Sequence, residues 1–229
     1  MRRISSVYIL IAAATLSAGV SRSYGQIPGG GGAARPGRSQ MNQPGEQIET
    51  APHEDKPDVA ARKAYMAGIK SMDKAKEFEE IASQSATADK KARALDKVGD
   101  AYNKALDQFT EALSNKSDMY DAWNRVGYVH LKLGAFGEAI DDYNHALAIK
   151  PDTQEALFHR GEAYLAIDRL DEVKAAYVDL ANHSPEMAGR LMAAMKRWEA
   201  DHQAEARGMS AKDIAALDQW IQAHSVATN

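Results

Sequence analysis

The same residues recur in this chain at an interval of 34. Residues 110–118 read TEALSNKSD and residues 144–152 read NHALAIKPD, with Ala-Leu, a lysine and an aspartate in the same places. The agreement extends further through the aligned sets Tyr102/Phe136/Leu170, Ala105/Ala139/Val173, Phe109/Tyr143/Tyr177 and Gly127/Gly161. Such a period indicates a repeated unit of supersecondary structure, whose apolar face is buried only when neighbouring units stack.

The apolar spacing between the repeats and upstream of them is helical. Tyr65, Ile69, Met72, Ala75 and Phe78 recur at steps of three and four residues and predict a helix that ends near Ser83. A second run from Leu95 to Ala112 has the same spacing, so each of the two helices should have some 25 residues. No segment here alternates with period two, and strands are not expected.

The sizes of the recurring residues, and the residues that should end or cap helices, agree with paired helices. Small residues recur where two helix backbones should approach closely, and large ones where space must be filled; the sets are Gly127, Gly161, Ala139 and Ala146, and Trp123, Tyr143, Phe158 and Tyr177. Pro151 and Pro185 should each end a helix. Asp152 with Glu155, and Ser210 with Asp213, are expected to cap the helices that follow.

With this pattern the chain resembles the tetratricopeptide repeat (TPR) family. Residues 120–153 carry the signature at Trp123, Val126, Gly127, Ala139, Tyr143, Ala146 and Pro151, with His130 where an aromatic residue is usual. Residues 154–187 match less closely, through Leu157, Gly161, Tyr164, Tyr177 and Pro185. The unit before them is degenerate and lacks the Trp-Leu-Gly pattern. The resemblance implies an all-α fold, a TPR-type α-solenoid of stacked antiparallel helix hairpins.

Six segments are expected along the chain. They are a signal peptide over 1–25, a Gly/Pro-rich disordered tether over 26–57, a long degenerate TPR-like hairpin over 58–117, TPR units over 118–153 and 154–187, and C-terminal capping helices over 188–229. The tether has too few large apolar groups to offset its conformational entropy; a docking motif is the alternative. The charged KRWEADHQAEAR stretch suits a capping helix, with a recognition helix as the alternative.

The first 25 residues have the layout of an export signal. A basic start at Arg2 and Arg3 precedes the apolar stretch Val7–Val20, and small residues at Ser23 and Gly25 favour cleavage before Gln26. An uncleaved anchor is the alternative, but fourteen helical residues span only about 21 Å of a core that is roughly 30 Å thick. A periplasmic or secreted location is therefore expected, without stable membrane insertion after cleavage.

Charge and cysteine content exclude several functions. Without the three arginines of the leader, 25 basic residues face 32 acidic ones, a formal charge of −7, which disfavours nucleic acid as a partner. The chain has no cysteine, so disulfides and thiolate chemistry are absent.

The sequence shows no constellation of catalytic or metal-binding residues. Seven histidines are present, none in HExxH or another close metal-binding pair, and His130 falls on a packing position. Adjacent acids such as Asp141-Asp142 diverge by about 100° on a helix. We expect no enzyme activity, no cofactor and no metal; an enzyme or metal carrier is the remote alternative.

The family resemblance suggests where a partner binds. In TPR proteins the first helix of each repeat lines a concave groove that takes a peptide or protein segment. By position the groove residues are Asn124, Arg125, Tyr128, Leu131, Lys132, Phe158, His159, Glu162 and Leu165, although Leu131 and Leu165 are equally compatible with packing. Some members hold a C-terminal carboxylate with cations, but Glu155 and Glu162 stand where these cations are expected, which argues against that mode.

The sequence thus predicts a non-catalytic protein–protein interaction scaffold of the cell envelope. The alternative is a structural spacer that self-associates as a homodimer through an exposed face of the long hairpin, formed by Tyr65, Met72 and Phe78.

Overall fold

The computed structural model describes residues 56–205 and 210–225, and every regular element within these ranges is a helix. In chain order they are α1 (Lys56–Gln84), α2 (Ala88–Asn115), α3 (Tyr120–Leu133), α4 (Phe136–Ile149), α5 (Gln154–Ala166), α6 (Leu170–His183), α7 (Pro185–Glu205) and α8 (Ala211–Ser225). The expected all-α class is confirmed. Residues 1–55, which carry the predicted leader and nearly all of the predicted tether, lie outside the described part.

Consecutive helices pair and the pairs stack. Helix α1 packs on α2, α3 on α4 and α5 on α6, while each pair also contacts the helix that opens the next one. The close approaches expected from glycine are present: a Cβ on Gly127 would lie 2.9 Å from a ring carbon of Tyr143, and one on Gly161 would lie 2.9 Å from Leu191 of α7. The stacked antiparallel hairpins predicted from the 34-residue period are therefore confirmed.

The long hairpin contains a close approach that the sequence comparison missed. A Cβ on Gly68 would lie 2.5 Å from the ring of Phe109, which is the relation that Gly127 has to Tyr143. Gly68 precedes Phe109 by 41 residues, whereas Gly127 precedes Tyr143 by 16. Since α1 and α2 have 29 and 28 residues against 14 each in α3 and α4, the additional residues lengthen both helices toward their connecting turn and hide the shared register.

Two hydrophobic clusters form the core. One is built by α1, α2 and α3 around Tyr102 and Phe109, and the other extends from α3 to α8 around Tyr143 and Leu180. Trp123 packs against both clusters, and its ring nitrogen donates to the carbonyl oxygen of Ser117 over 2.9 Å. Burial of each large side chain contributes roughly 1.5–3 kcal/mol, so these two clusters, which meet at Trp123, hold the stacked helices together.

Of the two helix caps predicted from the sequence, one is absent from the structure and one is present. The predicted Asp152–Glu155 capping box is wrong: α5 begins after Thr153, whose hydroxyl donates to the carbonyl of Lys150 over 2.9 Å and does not cap the helix. Glu155 turns instead toward α3, where its carboxylate accepts a hydrogen bond. At α8 the expected cap is present, because the backbone N–H of Asp213 donates to the Ser210 hydroxyl over 3.2 Å.

Two further expectations need correction. The tether was expected to reach residue 57, but Lys56 and Pro57 already belong to α1. The face proposed for homodimer contacts is not an exposed apolar surface, because Met72 is buried in the core and Tyr65 and Phe78 pack against the same cluster. The stripe that suggested this face is the one that α1 turns toward α2 and α3.

None of the helices in 56–205 and 210–225 is both long and apolar enough to cross a bilayer.

Candidate functional site

The first helices of successive pairs form one face of the molecule. Helix α5 contacts α3 on one side and α7 on the other, and α1 is joined to α3 by an ion pair between Glu79 and Lys132. The exposed side of α1, α3 and α5, away from their partners α2, α4 and α6, is called the first-helix face below. The groove residues predicted from the sequence are on α3 and α5.

The nine predicted groove residues fall into two groups. Arg125, Tyr128, His159 and Glu162 are partly exposed; Asn124, Leu131, Lys132, Phe158 and Leu165 are buried. The first four lie on the first-helix face, and their contact with a ligand stays a prediction.

Three of the buried residues are not available on an open surface. Leu131, Phe158 and Leu165 belong to the larger hydrophobic cluster, and only 4% of Phe158 is exposed. The guanidinium of Arg190, on α7, covers the Phe158 ring at 4.5 Å. Their assignment to an open groove is therefore corrected. Phe158 is covered by the next pair through Arg190, and Leu131 and Leu165 are buried within the same cluster.

His159 is the centre of an aromatic group on this face. Its ring lies 5.2 Å from Tyr128 and 5.1 Å from Phe158, both edge-on, and 6.2 Å from Tyr143 in a stacked arrangement. The Nδ1 atom is 2.8 Å from a carboxylate oxygen of Glu162 one turn later. These contacts hold Tyr128 of α3 against α5 and fix the relative position of two predicted groove residues.

A buried polar network joins the long hairpin to α3. The Lys132 ammonium lies 2.7 Å from Glu79, whose carboxylate also accepts the Tyr102 hydroxyl over 3.1 Å. Burial and the charge of Glu79 raise the pKa of Tyr102 far above its usual range, and they raise the pKa of Tyr128 as well. Lys132 is therefore engaged within the chain, with a side chain only 7% exposed.

Arg125 and Asn124 connect the neighbouring first helices. Burial alone would lower the pKa of the Arg125 guanidinium, but its hydrogen bond to Tyr65 and the charges of Glu155 and Asp121 outweigh burial and raise that pKa. The side-chain amide of Asn124 donates to a Glu155 oxygen over 3.3 Å. Arg125 thus faces α1, while Asn124 faces α5.

Two residues of the first-helix face were missed by the sequence analysis. With Gly68 aligned on Gly127, Met66 takes the position of Arg125 and Ile69 that of Tyr128. Met66 is 58% exposed, and Ile69 is partly exposed. The signal in the sequence was Gly68 itself, a glycine within a regular apolar helical pattern, which could have aligned α1 with α3.

The described residues show no grouping suited to metal binding. No set of three or more His, Cys, Asp or Glu residues in 56–205 and 210–225 could hold a metal ion. His130 and Asp142 form a buried pair, with Nδ1 and Oδ2 2.5 Å apart, which ties α3 to α4. Burial raises the pKa of Asp142, and the neighbouring His130 offsets this only in part. The position of the pair between two packed helices indicates a structural role.

Comparison with known proteins finds a family match for one segment of the helical stack. Residues 127–168, from the middle of α3 to the turn after α5, match the family model described as TPR repeat. The resemblance stated from the signature residues is confirmed for this segment. TPR repeats form protein–protein interaction scaffolds that are typically non-catalytic.

Similar folds occur among solved structures. Thirty-seven chains match, among them the TPR domain of Arabidopsis OM64, at 19% identity over 60% of this chain and 98% of that one, with a TM-score of 0.43. Another is the TPR2B domain of yeast Sti1 in complex with pHsp70, at 16% identity over 72% and 98%, with a TM-score of 0.38. At this similarity neither structure indicates what the present chain binds. None of the curated proteins matches the chain.

Proposed function

Because residues 127–168 are a TPR repeat, we propose that this protein is a non-catalytic adaptor that binds a segment of another protein on its first-helix face. The observation that carries this proposal is the position of Arg125, Tyr128, His159 and Glu162. They come from two successive first helices and stay partly exposed side by side, although most large side chains around them are buried. Aromatic rings and guanidinium groups are the side chains that most often dominate the energetics of protein interfaces.

The fixed geometry of this face also suits binding. Tyr128 is in edge-on contact with the His159 ring, 5.2 Å between ring centres. Arg125 lies close enough to Tyr65, Asp121 and Glu155 for these groups to raise its pKa. Side chains that are already ordered lose little conformational entropy when a partner binds, which favours affinity.

A pull-down tests this assignment. The wild-type chain and the Arg125→Ala/Tyr128→Ala variant are compared in an envelope extract, with proteins identified by mass spectrometry. We expect the variant to lose the specific partners of the wild type. Lys104→Ala/Asp107→Ala, on the exposed side of α2, is the control and should keep them. Equal recovery by the wild type and the Arg125/Tyr128 variant would show that the partner does not bind on the first-helix face.

We further propose that the protein acts in the cell envelope, in the periplasm or outside the cell. The support is the layout of residues 1–25, with a basic start, an apolar stretch and small residues before Gln26. Intact-mass measurement of the chain isolated from its own cells should show the loss of 25 residues. A full-length chain in the cytosolic fraction would refute export.

A further inference from the structure

The turn between α5 and α6 holds a residue in an unusual backbone conformation. Asp168 has a φ of 62°, the one positive value among the described residues that are not glycine. Gly134, which takes the same place one repeat earlier, has a φ of 78°. A Cβ makes this left-handed region unfavourable, although Asp and Asn adopt it more readily than other residues. A residue kept in this conformation where the other repeat has glycine suggests a role for its side chain.

The Asp168 carboxylate meets two rings of α7. Its Oδ1 accepts the Nε1 hydrogen of Trp198 over 3.0 Å and lies 3.6 Å from Nε2 of His202. The His202 ring is stacked on the Trp198 indole, with 3.7 Å between the ring centres. Trp198 is 9% exposed and the His202 side chain 10%. These three residues, called the α7 clamp below, join the second repeat to the helix that follows it.

The hydrogen bond of the His202 ring determines which nitrogen faces the carboxylate. Nδ1 lies 2.8 Å from the carbonyl oxygen of Trp198, and because a carbonyl oxygen only accepts, Nδ1 carries a hydrogen. In the neutral ring Nε2 then has no hydrogen and turns a lone pair toward the negative oxygen of Asp168. Once Nε2 is protonated, the same contact becomes an attraction between opposite charges.

We propose that the α7 clamp is a pH-dependent device, in which protonation of His202 fastens α7 to the second repeat and deprotonation loosens it. A proton that is bound more favourably in the folded chain stabilises the fold at low pH, and this contribution is lost as the pH rises. Histidine ordinarily changes its charge near pH 6.5, so the loss falls between about pH 5.5 and 8. Helix α7 also carries Arg190, which covers Phe158 of α5. The device therefore acts on the helix that borders the first-helix face.

The other charged groups near the clamp do not take the place of Asp168. Arg169, the next residue, donates to Glu172 of α6 over 2.8 Å. Glu199, one turn earlier on α7, is buried, and its pKa is raised by burial and by the charge of Asp218 of α8. Because this carboxyl adds a pH dependence of its own, the test has to isolate the histidine and its partner.

A double-mutant cycle at two pH values does so. The wild type, Asp168→Asn, His202→Gln and the double variant are unfolded with urea at pH 5.5 and 8.0, followed by circular dichroism. Asn keeps an acceptor for Trp198 and adopts the left-handed conformation, so chiefly the charge is removed. We expect the coupling of the pair to change the unfolding equilibrium constant roughly three- to fivefold at pH 5.5, the upper range for partly exposed ion pairs, and less than about 1.5-fold at pH 8.0. Asp168→Asn alone gives a second reading, because its loss relative to the wild type should be greater at pH 5.5.

His224 on α8 provides a matched control. Its Nδ1 lies 2.8 Å from the carbonyl oxygen of Trp220, and its ring is stacked on that indole at 4.0 Å. Among residues 56–205 and 210–225, no carboxylate forms an ion pair with it. The stack is common to both histidines, so His202→Gln should depend more strongly on pH than His224→Gln. Coupling of equal size at the two pH values, or equal pH dependence of the two histidine variants, would overturn the proposal.

Discussion

Replacement of Lys132 by Met tests whether the buried polar network holds the long hairpin against the first repeat. The substitution keeps the length of the side chain and removes the ammonium that lies 2.7 Å from Glu79. The Lys132 side chain is 7% exposed and that of Glu79 23%, so the carboxylate left behind is only partly hydrated. Loss of one partner from a fully buried ion pair costs about 3–5 kcal/mol.

Two features of the site reduce that cost. Glu79 is partly exposed, and it keeps the hydrogen bond from Tyr102. A hydrogen bond to a charged group contributes about 1.5–3 kcal/mol. We therefore expect Lys132→Met to lower the free energy of unfolding by about 2–3 kcal/mol, measured by urea denaturation followed by circular dichroism.

A double-mutant cycle isolates the pair. Glu79→Gln with Lys132→Met removes both charges, and this double variant should be more stable than Lys132→Met alone, with a coupling of at least about 1 kcal/mol. Lys76→Met is the control, because Lys76 lies 3.8 Å from Asp73 with both side chains more than half exposed. Its cost should stay below about 0.5 kcal/mol. If Lys132→Met costs no more than Lys76→Met, or if the two changes in the pair simply add, the network does not hold the hairpin in place.

Three further predictions follow from other contacts. Gly68→Ala should destabilise the fold by about 1–3 kcal/mol, because its Cβ would meet Phe109 at 2.5 Å. Gly99→Ala has open space around it and should stabilise the fold by about 0.5–1 kcal/mol in the same urea titration. Equal effects of the two substitutions would contradict the close approach at Gly68. Burial raises the pKa of Tyr102. The stability that its neutral hydroxyl contributes is therefore fully present below the ordinary tyrosine pKa of about 10 and is lost above it, by up to about 1.4 kcal/mol per pH unit. Unfolding free energies measured from pH 9 to 11 should fall less steeply in Tyr102→Phe than in the wild type, and an unchanged slope would refute this. Ser210→Ala should lower the stability of α8 by about 1 kcal/mol through loss of its N-terminal cap. Hydrogen exchange of the α8 backbone amides should become faster, and unchanged exchange there would show that the cap contributes nothing.

The repeat and its packing could be read from residue types because they depend on local size and spacing. Gly127 and Tyr143 fall 16 residues apart inside a unit whose two helices have 14 residues each, and the close approach expected at Gly127 lies within that unit. Gly68 and Phe109 make the same contact across longer helices, and the 34-residue comparison could not find them. A spacing rule holds only while helix length stays constant.

Exposure on the candidate site could not be read in the same way. Tyr128 and Phe158 are both aromatic residues on first helices, and the sequence placed both in the groove. Only Phe158 is in the core, because Arg190 and α7 cover it. The covering residue is 32 positions away, and no local pattern encodes how two helices cross.

The sequence by itself determined the helical class, the stacked hairpins and the glycines at which α3 and α5 come close to their neighbours, since each follows from periodic spacing along the chain. The tertiary structure decided which polar groups meet. Lys132 lies 53 residues from Glu79, and Asn124 lies 31 residues from Glu155. Pairing over such distances depends on the angle and register between packed helices, which arise only when all the apolar faces are buried together. That arrangement leaves Arg125, Tyr128, His159 and Glu162 partly exposed on the first-helix face.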